Sequence, residues 1–122
     1  MTRTFENIIA WKKAHEFVVQ IYRVTSSFPD FEKFGLCSQF QRAAVSVPAN
    51  IAEGYKKISK ADKLRFFNIS QGSLEECRYY CILSKDLGYI DDTKVVEDAI
   101  KEAETAVKDR FKELYVALGV DN

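Results

Sequence analysis

Proline stands only at positions 29 and 48, and glycine occurs 5 times in 122 residues, so there are too few breakers to divide the chain into many short strands and turns. Long helices are permitted. There is a single histidine, His15. Di-iron bundles need a Glu-x-x-His pair on each of two helices, so that chemistry is excluded, and His15 between Ala14 and Glu16 reads as a surface or boundary residue. The three cysteines, Cys37, Cys77 and Cys81, form an odd set with no Cys-x-x-Cys spacing, which argues against a secreted disulfide scaffold and against zinc. They read as small apolar core residues in a reducing, cytoplasmic setting. No apolar run approaches the ~20 residues that span a bilayer, and the N-terminal stretch MTRTFENIIAWKK is too broken by charge for an export signal. No nucleophile motif and no phosphate-binding glycine loop occur, so no catalytic residue, cofactor site or metal site is assigned.

Neither sign of charge dominates, because 18 Lys and Arg balance 18 Asp and Glu. The distribution is uneven all the same. Lys56, Lys57, Lys60, Lys63 and Arg65 stand against Asp62 alone, while acids outnumber bases from Asp91 to Glu113. A basic end and an acidic flank are expected.

Four segments carry helical periodicity. In the first, Trp11, Ala14, Val18 and Ile21 recur at steps of three and four, widened by Phe17 and Val24, up to Ser26-Ser27; Phe28-Pro29-Asp30 then breaks the run. The second, from about Leu36 to Lys57, uses Phe40, Ala43, Ala44, Val47, Ile51 and Tyr55, and Pro48 predicts a kink inside it rather than a full break. Ser59 followed by Asp62 resembles a helix cap that starts the third, which carries Leu64, Phe67, Leu74, Cys77 and Cys81 on one stripe and ends at Gly88, placed for a left-handed terminating residue. Phe66, Ile69, Tyr80 and Leu83 widen that stripe so far that this segment is expected to be the most buried, or to face both a core and a partner. Asp91 and Asp92 open the fourth, where Val96, Ile100, Ala103, Val107, Phe111, Leu114 and Leu118 follow at near-heptad spacing before Gly119. Short connections between such helices predict one all-α domain over residues 1–122, an antiparallel up-down-up-down four-helix bundle.

The stretch from Gln39 to Gly54, QFQRAAVSVPANIAEG, resembles the four-helix bundle proteins encoded in intervening sequences of bacterial 23S ribosomal RNA genes. The likeness extends to Trp11-Lys12-Lys13-Ala14, Phe28-Pro29, Gly72-Ser73-Leu74-Glu75-Glu76 and Leu87-Gly88-Tyr89-Ile90. That resemblance implies a helical bundle assembled as a ring-like homopentamer, with no established enzyme activity. A more distant similarity is to the accessory protein of diversity-generating retroelements, a basic pentamer that binds reverse transcriptase and nucleic acid.

The residues themselves suggest three surfaces. Ala43, Ala44, Ser46, Ala49 and Ala52 with Gly72 and Ser73 are small enough for the second and third helices to approach closely, which would give Gly72 a packing reason for its ~1 kcal/mol penalty inside a helix. Arg42, Asn50 and Glu53 with Glu75 and Glu76 are candidates for a polar network, including an Arg42–carboxylate pair, that fixes register or a subunit contact; the competing reading is a solvated face. Lys56, Lys57, Lys60, Lys63 and Arg65, flanked by Tyr55 and Phe66, suit phosphate contact and base stacking, against a solvated loop as the alternative. Trp11, Phe17, Phe66 and Tyr80 are candidate contact residues between copies. The reading adopted is a non-enzymatic homo-oligomeric interaction protein. The rival is an accessory protein that binds RNA or DNA beside a polymerase or reverse transcriptase, and a small-molecule binder is a third class.

Overall fold

Four α-helices occupy most of residues 4–117, the part of the chain that the computed structural model describes. They are α1 (Ile9–Thr25), α2 (Leu36–Lys56), α3 (Lys60–Asp86) and α4 (Lys94–Ala117), with short 3-10 turns at Phe5–Asn7 and Asp30–Glu32 and no strand among the described residues. Their boundaries follow from local chemistry. Ser59 Oγ accepts the Asp62 amide at 3.1 Å, satisfying one of the free donors at the start of α3. At its other end Gly88 takes φ +80°, and the amides of Gly88 and Tyr89 turn back to the carbonyls of Lys85 and Ser84, both at 2.9 Å. This is a Schellman closure, which requires the left-handed residue that glycine supplies without strain. Asp92 Oδ1 accepts the Lys94 amide at 2.9 Å and opens α4. Of the residues expected to finish α4, Leu118 and Gly119 lie outside the described residues.

The helices run up, down, up, down. Across the α2/α3 seam Gly54 meets Phe66, Val47 meets Ser70, Ser46 meets Ser73 and Gln39 meets Tyr80, so one helix descends as the other rises. Each helix packs on its chain neighbours, α1 closes against α4, and the backbones of the diagonal pairs stay apart among the described residues. Helix α2 passes unbroken through Pro48, whose ring is buried; a single missing N–H removes one bond without ending the helix.

The core is formed by Ala10, Ala14, Phe17 and Ile21 of α1, Phe40, Ala44, Val47 and Ile51 of α2, Phe67, Leu74 and Cys77 of α3, and Val96, Ile100, Ala103 and Val107 of α4. The apolar stripe of α1 is centred on Phe17, which is 1% exposed, and Trp11, Val18 and Val24 flank it, half-buried.

At the end where α1 and α3 finish, the two connections are tied together. Tyr89 Oη donates to Glu32 Oε2 at 2.8 Å, and the same carboxylate accepts the Leu36 amide through Oε1 at 3.0 Å, capping α2. The Leu36 amide, then Tyr89, holds the Glu32 carboxyl below its ordinary range, and the Glu32 hydrogen bond pushes Tyr89 up. A folded-state carboxyl lowered in this way adds stability that is present above its unfolded value and lost as pH falls through the folded one. We expect urea unfolding across acid pH to show the wild-type chain more stable than Glu32→Gln near neutrality, with the gap closing as the solution is acidified. A gap that stays constant into acid would refute the tie.

Candidate functional site

The α2/α3 seam brings together Ser46, Asn50, Ser73 and Glu76 of the polar residues that the sequence singles out. Asn50 Nδ2 donates to the Ser46 carbonyl at 2.7 Å and to Ser46 Oγ at 2.9 Å, and Ser46 Oγ lies 2.8 Å from Ser73 Oγ. A hydroxyl chain thus crosses from α2 to α3. One turn away the buried Ser70 Oγ donates to the Val47 carbonyl at 2.9 Å, a second rung of the seam. Farther along, Tyr80 Oη donates to Glu76 Oε2 at 2.8 Å with Gln39 Oε1 at 3.2 Å. Burial, then the Glu76 carboxylate, pushes the Tyr80 hydroxyl up to about 12, so it stays a proton donor.

Asn50 therefore joins this network, but its partners are the main-chain carbonyl and the hydroxyl of Ser46 on its own helix and not charges. The expected Arg42–carboxylate pair does not form. Arg42 is exposed and has no ion pair among the described residues, because Glu75 is held by Arg78 at 3.3 Å on its own helix and Glu76 by Tyr80. Arg78 also reaches Glu104 at 3.0 Å and ties α3 to α4. Its position three residues after Glu75 is the signal that marks it in the sequence. Glu53 is exposed. Arg42, Gln39, Ser46, Ser73, Glu76 and Tyr80 line a small open groove of about 300 Å³.

Gly72 is not in the seam. It lies on the exposed side of α3, where a Cβ would meet nothing within 4 Å, and Ala49 is likewise exposed. The close approach is at Gly54, whose added Cβ would sit 3.0 Å from Phe66 Cβ and 3.6 Å from the Lys63 carbonyl oxygen. Helix α3 starts only a short connection after α2 ends, so the two backbones are nearest there.

The basic residues do gather at one end, around the α2–α3 connection, yet several are engaged within the protomer. Lys63 Nζ donates to the Tyr55 carbonyl at 2.9 Å, with the Gly54 carbonyl at 3.5 Å, and so covers the C-terminus of α2. Arg65 pairs with Asp62 at 3.5 Å. The cations of Lys57 and Arg65 each lie 5.0 Å from the centre of the Phe66 ring. Lys56 and Lys60 are exposed.

All three thiols are buried. Burial pushes Cys77 up to about 12 and raises Cys37 and Cys81, and Cys37 Sγ donates to the Thr25 carbonyl at 3.6 Å. They behave as core residues. No helix among the described residues is long and apolar enough to cross a membrane.

Residues 6–109 match the model of the 23S rRNA-intervening sequence protein family. The chain belongs to that family. Among curated proteins none matches it. A crystal structure of a protein with unknown function from the S23 ribosomal protein family of Bacteroides thetaiotaomicron VPI-5482 is similar to this intervening-sequence protein. The TM-score is 0.76 at 23% identity, covering 85% of this chain and 96% of the other. At that identity the likeness shows a common fold.

In this intervening-sequence protein the four aromatic residues read as contacts between copies fall into two groups. Phe17 and Tyr80 are buried in the protomer's own core, because the stripes of α1 and α3 are rotated so that these rings face inward. Trp11 and Phe66 are half-buried at the rim. Trp11 stacks on the exposed His15 with ring centres 5.0 Å apart and planes within 3°. A wider groove of about 980 Å³ runs between the start of α1 and α4, lined by Ile9, Lys13, Glu102, Thr105, Ala106 and Arg110 among others.

Proposed function

We propose that this protein is a non-enzymatic interaction module that assembles with copies of itself, in the ring-like manner the family resemblance implies. The observation that carries this reading is the apolar surface left on the outer helix faces. Tyr22 on α1, Val45 on α2, Ile69, Tyr79 and Ile82 on α3 and Val95 on α4 are all exposed in the protomer. Scattered exposed apolar residues need no partner, but Ile69, Tyr79 and Ile82 share the outer side of α3, and an apolar surface grouped in this way marks a contact. Gly72 supports the same reading, since it stands between Ile69 and Tyr79 on the outer side of α3 and only a neighbour from outside would use the missing Cβ. The absence of enzymatic activity is supported by what the polar residues do. The seam hydroxyls bond one another, the thiols are held protonated, and the tyrosine hydroxyl serves Glu76.

Light scattering after size separation tests the proposal. The expected mass is a several-fold multiple of the 14.0 kDa protomer, falling when Tyr79 and Ile82 are both replaced by glutamate. A mass that stays at 14.0 kDa at every concentration would overturn it.

A further inference from the structure

We infer that the two ends of the bundle are complementary docking surfaces for copies of this chain, the acidic aromatic end of one protomer seating on the basic end of the next. This rests on the self-assembly reading above but concerns a different surface from the helix sides. The topology places the α1–α2 and α3–α4 connections at one end and the α2–α3 connection at the other. Each end carries large apolar side chains almost wholly in solvent: Phe34 is 89% and Phe31 77% exposed at the first, and Ile58 is 97% exposed at the second. Leu87 adds to the first, half exposed across the turn from Tyr89, whose ring meets Phe31 and Phe28.

The rims differ in sign. Around Phe31, Phe34 and Leu87 stand Asp30, Asp86, Asp91 and Asp92, all exposed, with Glu32 half-buried, against Lys33 and Lys85 and, in the adjoining turns of α1 and α4, Arg23 and Lys94, the last of these paired with Asp98. Lys85 is directed to the Asp91 carbonyl at 3.3 Å, and Lys33 lies 5.5 Å from the centre of the Phe34 ring. Around Ile58 stand Lys56, Lys57, Lys60, Lys63 and Arg65 against Glu53 and Asp62, and the turns of α1 and α4 that share this end add Lys12, Arg110 and Lys112 against Glu6, Asp109 and Glu113, which leaves it net basic. An apolar centre with a charged rim is the usual build of a protein interface, and opposite rims steer and align the two halves. Because the two halves are different surfaces of one molecule, the contact is heterologous and repeats from copy to copy.

A second copy fits this end better than a nucleic acid. Phe66, the aromatic beside the lysines, already has Lys57 and Arg65 against its ring, and the exposed residue at the tip is an aliphatic isoleucine with no face for stacking a base. The acidic end repels polyanions and calls for a cationic partner, which the other end of the same chain supplies.

Sedimentation velocity on the full chain tests the inference. Wild type is expected to form species larger than the side-by-side assembly, and their population should fall about tenfold between about 50 and about 500 mM salt. Phe34→Ser and Ile58→Ser, at opposite ends, should each remove them. A chain with Lys56→Glu and Lys60→Glu should not stack on itself, nor should one with Asp30→Lys and Asp91→Lys, while a mixture of the two should associate. Assemblies of one constant mass, indifferent to salt, to these variants and to mixing, would overturn the inference and leave the self-assembly reading intact. A wild-type chain that stays monomeric throughout would overturn both. Retention of single-stranded RNA that is lost in Lys56→Glu/Lys60→Glu, with no change in mass, would overturn it in favour of a nucleic-acid surface.

Discussion

Replacing Phe17 by alanine is expected to destabilise the protein by about 3–5 kcal/mol, a drop of roughly 10–20 °C in melting temperature. The ring is 1% exposed and packs with Ala14, Ile21 and the inner faces of the neighbouring helices, so its removal leaves a cavity that helices joined by short connections cannot collapse to fill. Domains of this size are stable by only about 5–15 kcal/mol, so the variant would stand near the limit of folding. Trp11→Ala, which removes a half-buried rim ring, should lose about 1–2 kcal/mol in the dilute protomer. Chemical denaturation at several protein concentrations separates a core ring from an interface ring. The Phe17→Ala loss should not depend on concentration. If that variant kept its midpoint and lost only assembly mass, Phe17 would have to be returned to the subunit contact.

Two glycines of neighbouring helices should respond to alanine with opposite signs. At Gly54 a Cβ would press to 3.0 Å on Phe66 Cβ, which is the root of a side chain and cannot swing away, so Gly54→Ala should destabilise by about 1–3 kcal/mol and a β-branched valine by more. At Gly72 the same methyl meets nothing in the protomer, and the helix gains from a better former, so Gly72→Ala should stabilise the isolated protomer by about 1 kcal/mol. Thermal melts of both variants at low concentration check the pair. Equal losses at the two sites would mean that α3 is rotated from the position described. In the proposed assembly Gly72→Ala should also weaken association, so its effects on melting and on mass should diverge.

The elements were legible because their signals are local. The Ser59–Asp62 cap, the left-handed Gly88 closure and the stripe of Val96, Ile100, Ala103 and Val107 each depend on residues within one or two turns, and each appears where the spacing places it. The orientation of a wide stripe was not legible. In α1 apolar residues from Trp11 to Val24 cover so broad an arc that either Phe17 or the Trp11–Val18 edge would serve as its centre, and only the placement of α2 and α4 selects Phe17.

The candidate site divides in the same way. Arg42, Glu75 and Glu76 were visible as charges on facing helices, but adjacent residues of a helix point about 100° apart, and Arg78 offers Glu75 a nearer partner on the same helix. Lys63 carries no sequence mark of its role, since its partners are main-chain carbonyls at the end of the preceding helix. The Ser46–Ser73 bridge was hidden among residues that read simply as small.

By itself the sequence determined four helices and their antiparallel order, the caps that bound α3 and the start of α4, because sparse breakers, caps and short connections act through neighbouring residues. The tertiary structure alone decided which glycine is crowded and which is bare, which aromatic rings are core, and which charges are already engaged. Those outcomes depend on how far each helix is rotated and slid against the next, and a shift of one residue along a helix turns a side chain by about 100°. No local spacing encodes that angle.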